Sequence, residues 1–145
     1  MFRYTIHTDG GSRGNPGPAA IGVVIEGGGI GKKEYGEHIG VTTNNEAEYQ
    51  AVIFALKKIK QLIGNANTEK SELLFYLDSE LLVKQLGHQY KVKEDKIQKL
   101  FLEVHNLRLD FGKVEFKHVL RGKNIQADKI NNTIAAIKLP TRGKL

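Results

Sequence analysis

The chain has 145 residues, with 22 Lys and Arg against 16 Asp and Glu, a formal charge of +6 at pH 7. That length holds one hydrophobic core rather than two, and the basic excess points to a polyanionic partner, nucleic acid first. The absence of cysteine excludes disulfides, thiolate metal sites and a cysteine nucleophile; no apolar run approaches the roughly 18 residues of a membrane span, so a metal would sit on oxygen or imidazole and no membrane partner is expected.

Phe2, Tyr4, Ile6 and Thr8 alternate with Arg3, Thr5, His7 and Asp9, a two-residue period that predicts a first strand ending at an acid. Because the chain opens on this strand and not on a charged-then-apolar leader, it is expected in the cytoplasm. Residues 10–18 read as a loop. Residues 20–25 and 33–39 read as two further strands joined by the glycine turn at 27–31, together an antiparallel meander. A P-loop reading of that turn fails, because no Ser or Thr follows Lys32 and both flanks read as strands.

A helix opens at residues 42–45 and runs to about residue 63, with Thr43 and Glu46 at capping-box spacing and Gly64 just past its end. Its apolar stripe of Ala51, Val52, Ala55, Ile59 and Leu62, projected backwards, includes Glu48. A short apolar run, 73–77, predicts a strand buried on both faces that ends at Asp78, before a helical segment at 79–86. Ile97, Leu100, Phe101, Val104 and Leu107 keep helical spacing, residues 114–119 make a fifth strand, and a last helix carrying Ile130, Ile134 and Ile137 stops before Pro140. The order βββ-α-β-α-α-β-α implies an α/β fold with a mixed sheet flanked by helices: three antiparallel strands, then two more through helical crossovers. Residues 1–139 read as one domain and 140–145 as a short basic tail.

Asp9 and Asp78 close strands, Asp128 opens the last helix, and Glu48 joins them from the stripe. Carboxylates brought close together repel, and a hard divalent cation resolves the repulsion. With oxygen ligands alone, Mg²⁺ is preferred and Mn²⁺ can replace it; two such ions about 4 Å apart suit phosphodiester hydrolysis. Each acid has a structural alternative: Asp9 as a turn residue, Asp78 as a helix N-cap, Asp128 as a partner of a helix dipole. Glu46 is explained by capping and is assigned no chemistry. Glu48 is the hardest to explain structurally, since an apolar stripe does not include a carboxylate without reason.

Four blocks stand together here: Thr8 to Pro18 (TDGGSRGNPGP), Thr43 to Glu48 (TNNEAE), Leu77 to Glu80 (LDSE) and Asn124 to Asp128 (NIQAD). In order and spacing they resemble type 1 ribonuclease H, over nearly the whole chain from Tyr4 to about Ile137. The resemblance implies a five-stranded ribonuclease H-like fold and an endonuclease that cuts the RNA strand of RNA–DNA hybrids, leaving 5′-phosphate and 3′-hydroxyl ends. It implies two Mg²⁺ ions on Asp9, Glu48, Asp78 and Asp128. It also implies that Gly10, Gly11, Ser12, Asn15, Asn44 and Asn45 contact RNA 2′-hydroxyls and that Thr43 grips a phosphate of the DNA strand. Short amides and backbone groups suit that task, because a 2′-hydroxyl both donates and accepts.

A histidine near the fourth acid assists many relatives. His118 lies ten residues before Asp128 and shares that role as an alternative with Arg121; strand alternation with Val114 and Phe116 equally fits a buried structural histidine. Two departures stand out. Glu80 occupies a position often held by Gln, and residues 87–96 are too short for a long basic protrusion, leaving Lys91, Lys93 and Lys96 as a smaller basic edge. A monomer with no obligate protein partner is expected. The competing readings are a non-cleaving module that binds hybrid or double-stranded RNA, and a relative acting on DNA alone.

Overall fold

The computed structural model describes residues 2–127 and 129. Strands β1 (Phe2–Ser12), β2 (Gly17–Gly27) and β3 (Lys32–Thr42) form an antiparallel meander; β4 (Ser71–Leu77) lies parallel to β1, and β5 (Lys113–His118) parallel to β4. The sheet has five strands in the order β3-β2-β1-β4-β5, the mixed sheet that the element order implies. Helices α1 (Asn44–Ile63), α2 (Asn65–Thr68), α3 (Glu80–Leu86) and α4 (Asp95–Arg108) are followed by a 3₁₀ turn at Arg121–Lys123.

Local chemistry sets most boundaries. Thr43 caps α1: its hydroxyl accepts from Glu46 N at 3.2 Å, and its own backbone N donates to Glu46 Oε1 at 3.3 Å, completing the capping box, while the hydroxyl also donates to Glu46 Oε1 at 2.9 Å. Gly64, at φ 81°, ends the helix in a conformation that favours glycine. The 27–31 run is a hairpin turn closed by Ile30 N donating to Gly27 O at 3.0 Å, with positive φ at Gly27, Gly28, Gly29 and Gly31.

The core forms where α1 covers the central strands, with α4 packed beside it. Tyr4 and Ile6 of β1, Val23 and Ile25 of β2, Leu73 and Phe75 of β4 and Val52, Leu56 and Ile59 of α1 are its buried members. β4 departs from its expected form. Leu73, Phe75 and Leu77 are buried, but Leu74 and Tyr76 between them are only half-buried, so burial alternates as in a strand with one fully packed face. Among the described residues no helix is long and apolar enough to cross a membrane.

Candidate metal centre

The acids meet where the sheet opens. Pairing between β1 and β4 ends at Thr8↔Leu77; beyond it β1 runs on to Asp9 while β4 turns off to Asp78. Divergence of neighbouring strands at such a point leaves a crevice at their carboxyl ends. α1 closes the crevice from above. It can do so because Gly10 has no side chain: a Cβ there would collide with the Ala47 carbonyl and lie 2.7 Å from Glu48 N. The contact brings Glu48 over Asp9.

Carboxylate oxygens of Asp9, Glu48 and Asp78 all lie within 4.8 Å of one another. Asp9 is 5% exposed and the other two are half-buried. Thr8, Leu77, Ser79 and Leu82 complete the cavity. Asp78 does not cap α3. Ser79 does, its hydroxyl accepting from Leu82 N at 3.2 Å, which leaves Asp78 without the structural task the sequence allowed it. Asp78 Oδ2 is buried and has no hydrogen-bond partner. Three close carboxylates, one with an orphaned buried oxygen, fit a divalent cation, which would relieve their repulsion and complete that oxygen's contacts. Asp128 lies outside the described residues.

The neighbouring surface is organised by asparagines. Asn44 Oδ1 accepts from Ser12 N at 2.8 Å and Ser12 Oγ at 3.1 Å, and Asn44 N donates to Asn15 Oδ1 at 3.0 Å. Two of the three asparagines expected to read 2′-hydroxyls therefore spend an acceptor tying the 12–15 loop to the start of α1. Asn45 differs, for its Oδ1 is buried with no hydrogen-bond partner. It lines a groove of about 220 Å³ with Leu81, Gln85, Lys91 and Lys93, and both lysines are exposed. Thr43 has its hydroxyl engaged by Glu46. Burial raises the Glu46 carboxyl's pKa, but hydrogen bonds from Thr43 and Thr42 outweigh it and hold the group below its ordinary range.

Glu80 is drawn along α3 by Lys84, 3.3 Å away. His118 ends β5 opposite Leu77, one residue from Asp78, and is exposed. The buried-histidine alternative is thus overturned: Val114 is buried and Phe116 half-buried on that face, but the core stops before the strand does. Arg121 begins the 3₁₀ turn, and its side chain is outside the described part. The sequence reading passed over Leu81 and Gln85, although their four-residue spacing puts them on one face of α3. Buried Gln85 accepts from Tyr49 Oη at 2.8 Å and donates to Lys91 O at 3.4 Å, anchoring the segment that carries the lysines. Burial pushes the Tyr49 hydroxyl's pKa well up, so it stays a donor.

A family profile described as reverse transcriptase-like matches residues 7–133. The chain is 35% identical over 131 residues to ribonuclease HI of Halobacterium salinarum, covering 90% of this chain and 63% of that protein. It is 36% identical over 133 residues to a bifunctional protein of Mycobacterium tuberculosis, covering 90% of this chain and 35% of that one. The chain thus spans between about a third and two thirds of the length of these curated relatives. The crystal structure of LC11-RNase H1 in complex with an RNA/DNA hybrid, an enzyme isolated from compost, superposes with a TM-score of 0.84 at 38% identity, covering 94% of this chain and 99% of that one. Sequence blocks, sheet order and solved relatives agree, and the chain belongs to the type 1 ribonuclease H family.

Proposed function

We propose that this protein is an endoribonuclease that hydrolyses the RNA strand of RNA–DNA hybrids, leaving 5′-phosphate and 3′-hydroxyl ends. The observation that carries the reading is the convergence of Asp9, Glu48 and Asp78 within 4.8 Å on a fold whose family relative was solved with an RNA/DNA hybrid. Asp9, Glu48 and Asp78, joined by Asp128, would hold two Mg²⁺ ions, with Mn²⁺ able to replace them. Such ions, when bound, activate water and neutralise charge at a phosphate.

The remaining residues hold the substrate. The backbone of Gly10, Gly11 and Ser12, with Asn15, Asn44 and Asn45, would contact RNA 2′-hydroxyls, and the only one of these amides with an orphaned buried acceptor is Asn45. Ser12 and Asn15 brace Asn44, so the reading surface is arranged before substrate arrives. Thr43 would meet a DNA phosphate through whatever donor capacity its capping bond leaves, and Lys91 and Lys93 would add charge along the same groove. His118, exposed and paired across from Leu77, the residue before Asp78, or Arg121 would assist proton transfer or product release.

The test is one end-labelled sequence presented as RNA–DNA hybrid, RNA duplex, DNA duplex and single-stranded RNA, each with Mg²⁺, Mn²⁺ or EDTA. Cutting confined to the RNA of the hybrid and abolished by EDTA is expected. Hybrid binding without cutting in any metal would overturn the reading in favour of a non-cleaving module.

A further inference from the structure

Asn124 is a buried polar side chain for which neither the fold nor the substrate surface gives a reason. It is 1% exposed and stands just before helical residues 125–127. Its Nδ2 donates to Thr8 O at 2.8 Å, while its Oδ1 is buried with no hydrogen-bond partner. An asparagine at the head of a helix ordinarily accepts there from an amide one turn on; this one does not, so its placement is set by β1 and not by capping. A buried amide whose oxygen finds no partner carries a desolvation cost that its single hydrogen bond offsets only in part. Its benefit must lie in what it fixes.

What it fixes is the point where the strands part. Thr8 is the last β1 residue paired with β4, and the next residue is Asp9. Asn124 reaches the Thr8 carbonyl from a different part of the chain, and four residues further on is Asp128. The same segment is held by Gln126 Nε2 donating to Glu34 Oε2 at 3.3 Å on β3 and by Ala127, which is fully buried. We infer that Asn124 is a positioning residue of the metal centre, its amide locking the strand that ends in Asp9 to the helical segment that leads to Asp128. The inference rests on the hybrid-cleavage reading only for the role of Asp128.

The test is calorimetric titration of Mn²⁺ without nucleic acid into wild type, Asn124→Leu, Asp128→Asn and the double variant, with melting curves for each. Asn124→Leu removes the orphaned oxygen at similar volume but also the donor to Thr8 O, two opposing effects on stability, so its melting temperature should stay close to wild type while Mn²⁺ binds about tenfold more weakly. In the Asp128→Asn background the same change should weaken binding no further, the non-additivity expected of residues acting as a unit. Wild-type affinity in Asn124→Leu, or a loss that adds in full to that of Asp128→Asn, would overturn the inference. Should Asn124→Leu not fold, Asn124→Ser keeps a donor at shorter reach; intermediate affinity is expected, and wild-type affinity overturns the inference. Hybrid cleavage is scored on the same preparations. Weakened Mn²⁺ binding in a protein whose wild type cuts nothing would refute the cleavage reading alone, and wild-type cutting with unaltered Mn²⁺ binding in Asn124→Leu would refute the positioning role alone.

Discussion

Gly10 and Ala47 touch backbone to backbone, so closely that a Cβ on Gly10 would overlap the Ala47 carbonyl. At the site end of α1, this contact sets how near the helix that carries Glu48 comes to the strand that ends its pairing with β4 beside Asp9.

Gly10→Ala should therefore push α1 off the sheet and part Glu48 from Asp9. Overpacking of this kind costs about 1–3 kcal/mol, and hybrid cleavage should fall more than tenfold at a temperature where the variant is still folded. A melting curve and a cleavage assay on one preparation check it. An unchanged melting temperature would show that α1 yields freely and that the contact does not set the spacing.

Asp78→Asn should abolish cleavage and leave the fold intact, since the change removes charge and little volume. Because Asp78 sits against two other carboxylates with an orphaned oxygen, the variant should melt in EDTA at or above wild type. Wild type should gain stability from Mg²⁺, about 1.4 kcal/mol at ten times the dissociation constant, and the variant less. Retained turnover would remove Asp78 from the site.

Glu46→Gln tests the choice between the two glutamates of α1. Hydrogen bonds from Thr43 and Thr42 hold the Glu46 carboxyl below its ordinary value of 4.5 against burial, which pushes it up. Its capping contribution is thus present above pH 4.5 and is lost as pH falls through the lower folded value. At neutral pH the variant should lose at most about 1 kcal/mol of stability with cleavage unchanged. Loss of cleavage there would mean that Glu46 does chemistry.

His7 gives a pH dependence of its own. Its ring is half-buried and stacks on Tyr76, centroids 5.1 Å apart. Burial holds its pKa below the ordinary 6.5, against the opposing charge of Glu26 and with some help from Lys32. The unfolded chain therefore takes up this proton first, so stability should decline as pH drops below 6.5 and level off once the folded value is passed. His7→Phe should flatten that part of a melting-temperature profile between pH 7 and 5. An equally steep profile would assign the slope to other groups.

How much of this was legible beforehand varies with the range of the forces involved. The ends of α1 could be read residue by residue, because Thr43, Glu46 and Gly64 act on backbone groups one turn away. The β1 ladder could not be read to its end. Residues 10–18 look like a loop, yet β1 and β2 stay paired out to Ser12↔Ala19, because hydrogen bonds from a neighbouring strand overrule the weak strand preference of glycine. α2 was missed for the opposite reason, since four residues carry no periodicity.

The sequence by itself determined the order of the strands and of the longer described helices, Asp9, Glu48 and Asp78 as acids that meet, and the family, all of which depend on residue type and spacing along the chain. Only the tertiary structure decided that Ser79 and not Asp78 caps α3, that His118 stands beyond the edge of the core, that Asn44 and Asn15 brace a loop while Asn45 keeps an unpartnered oxygen, and that Asn124 reaches the strand before Asp9. Each of these turns on which partner lies within about 3 Å. Local spacing cannot supply that distance when the partner is a hundred residues away, as Thr8 is from Asn124, a sequence separation of 116.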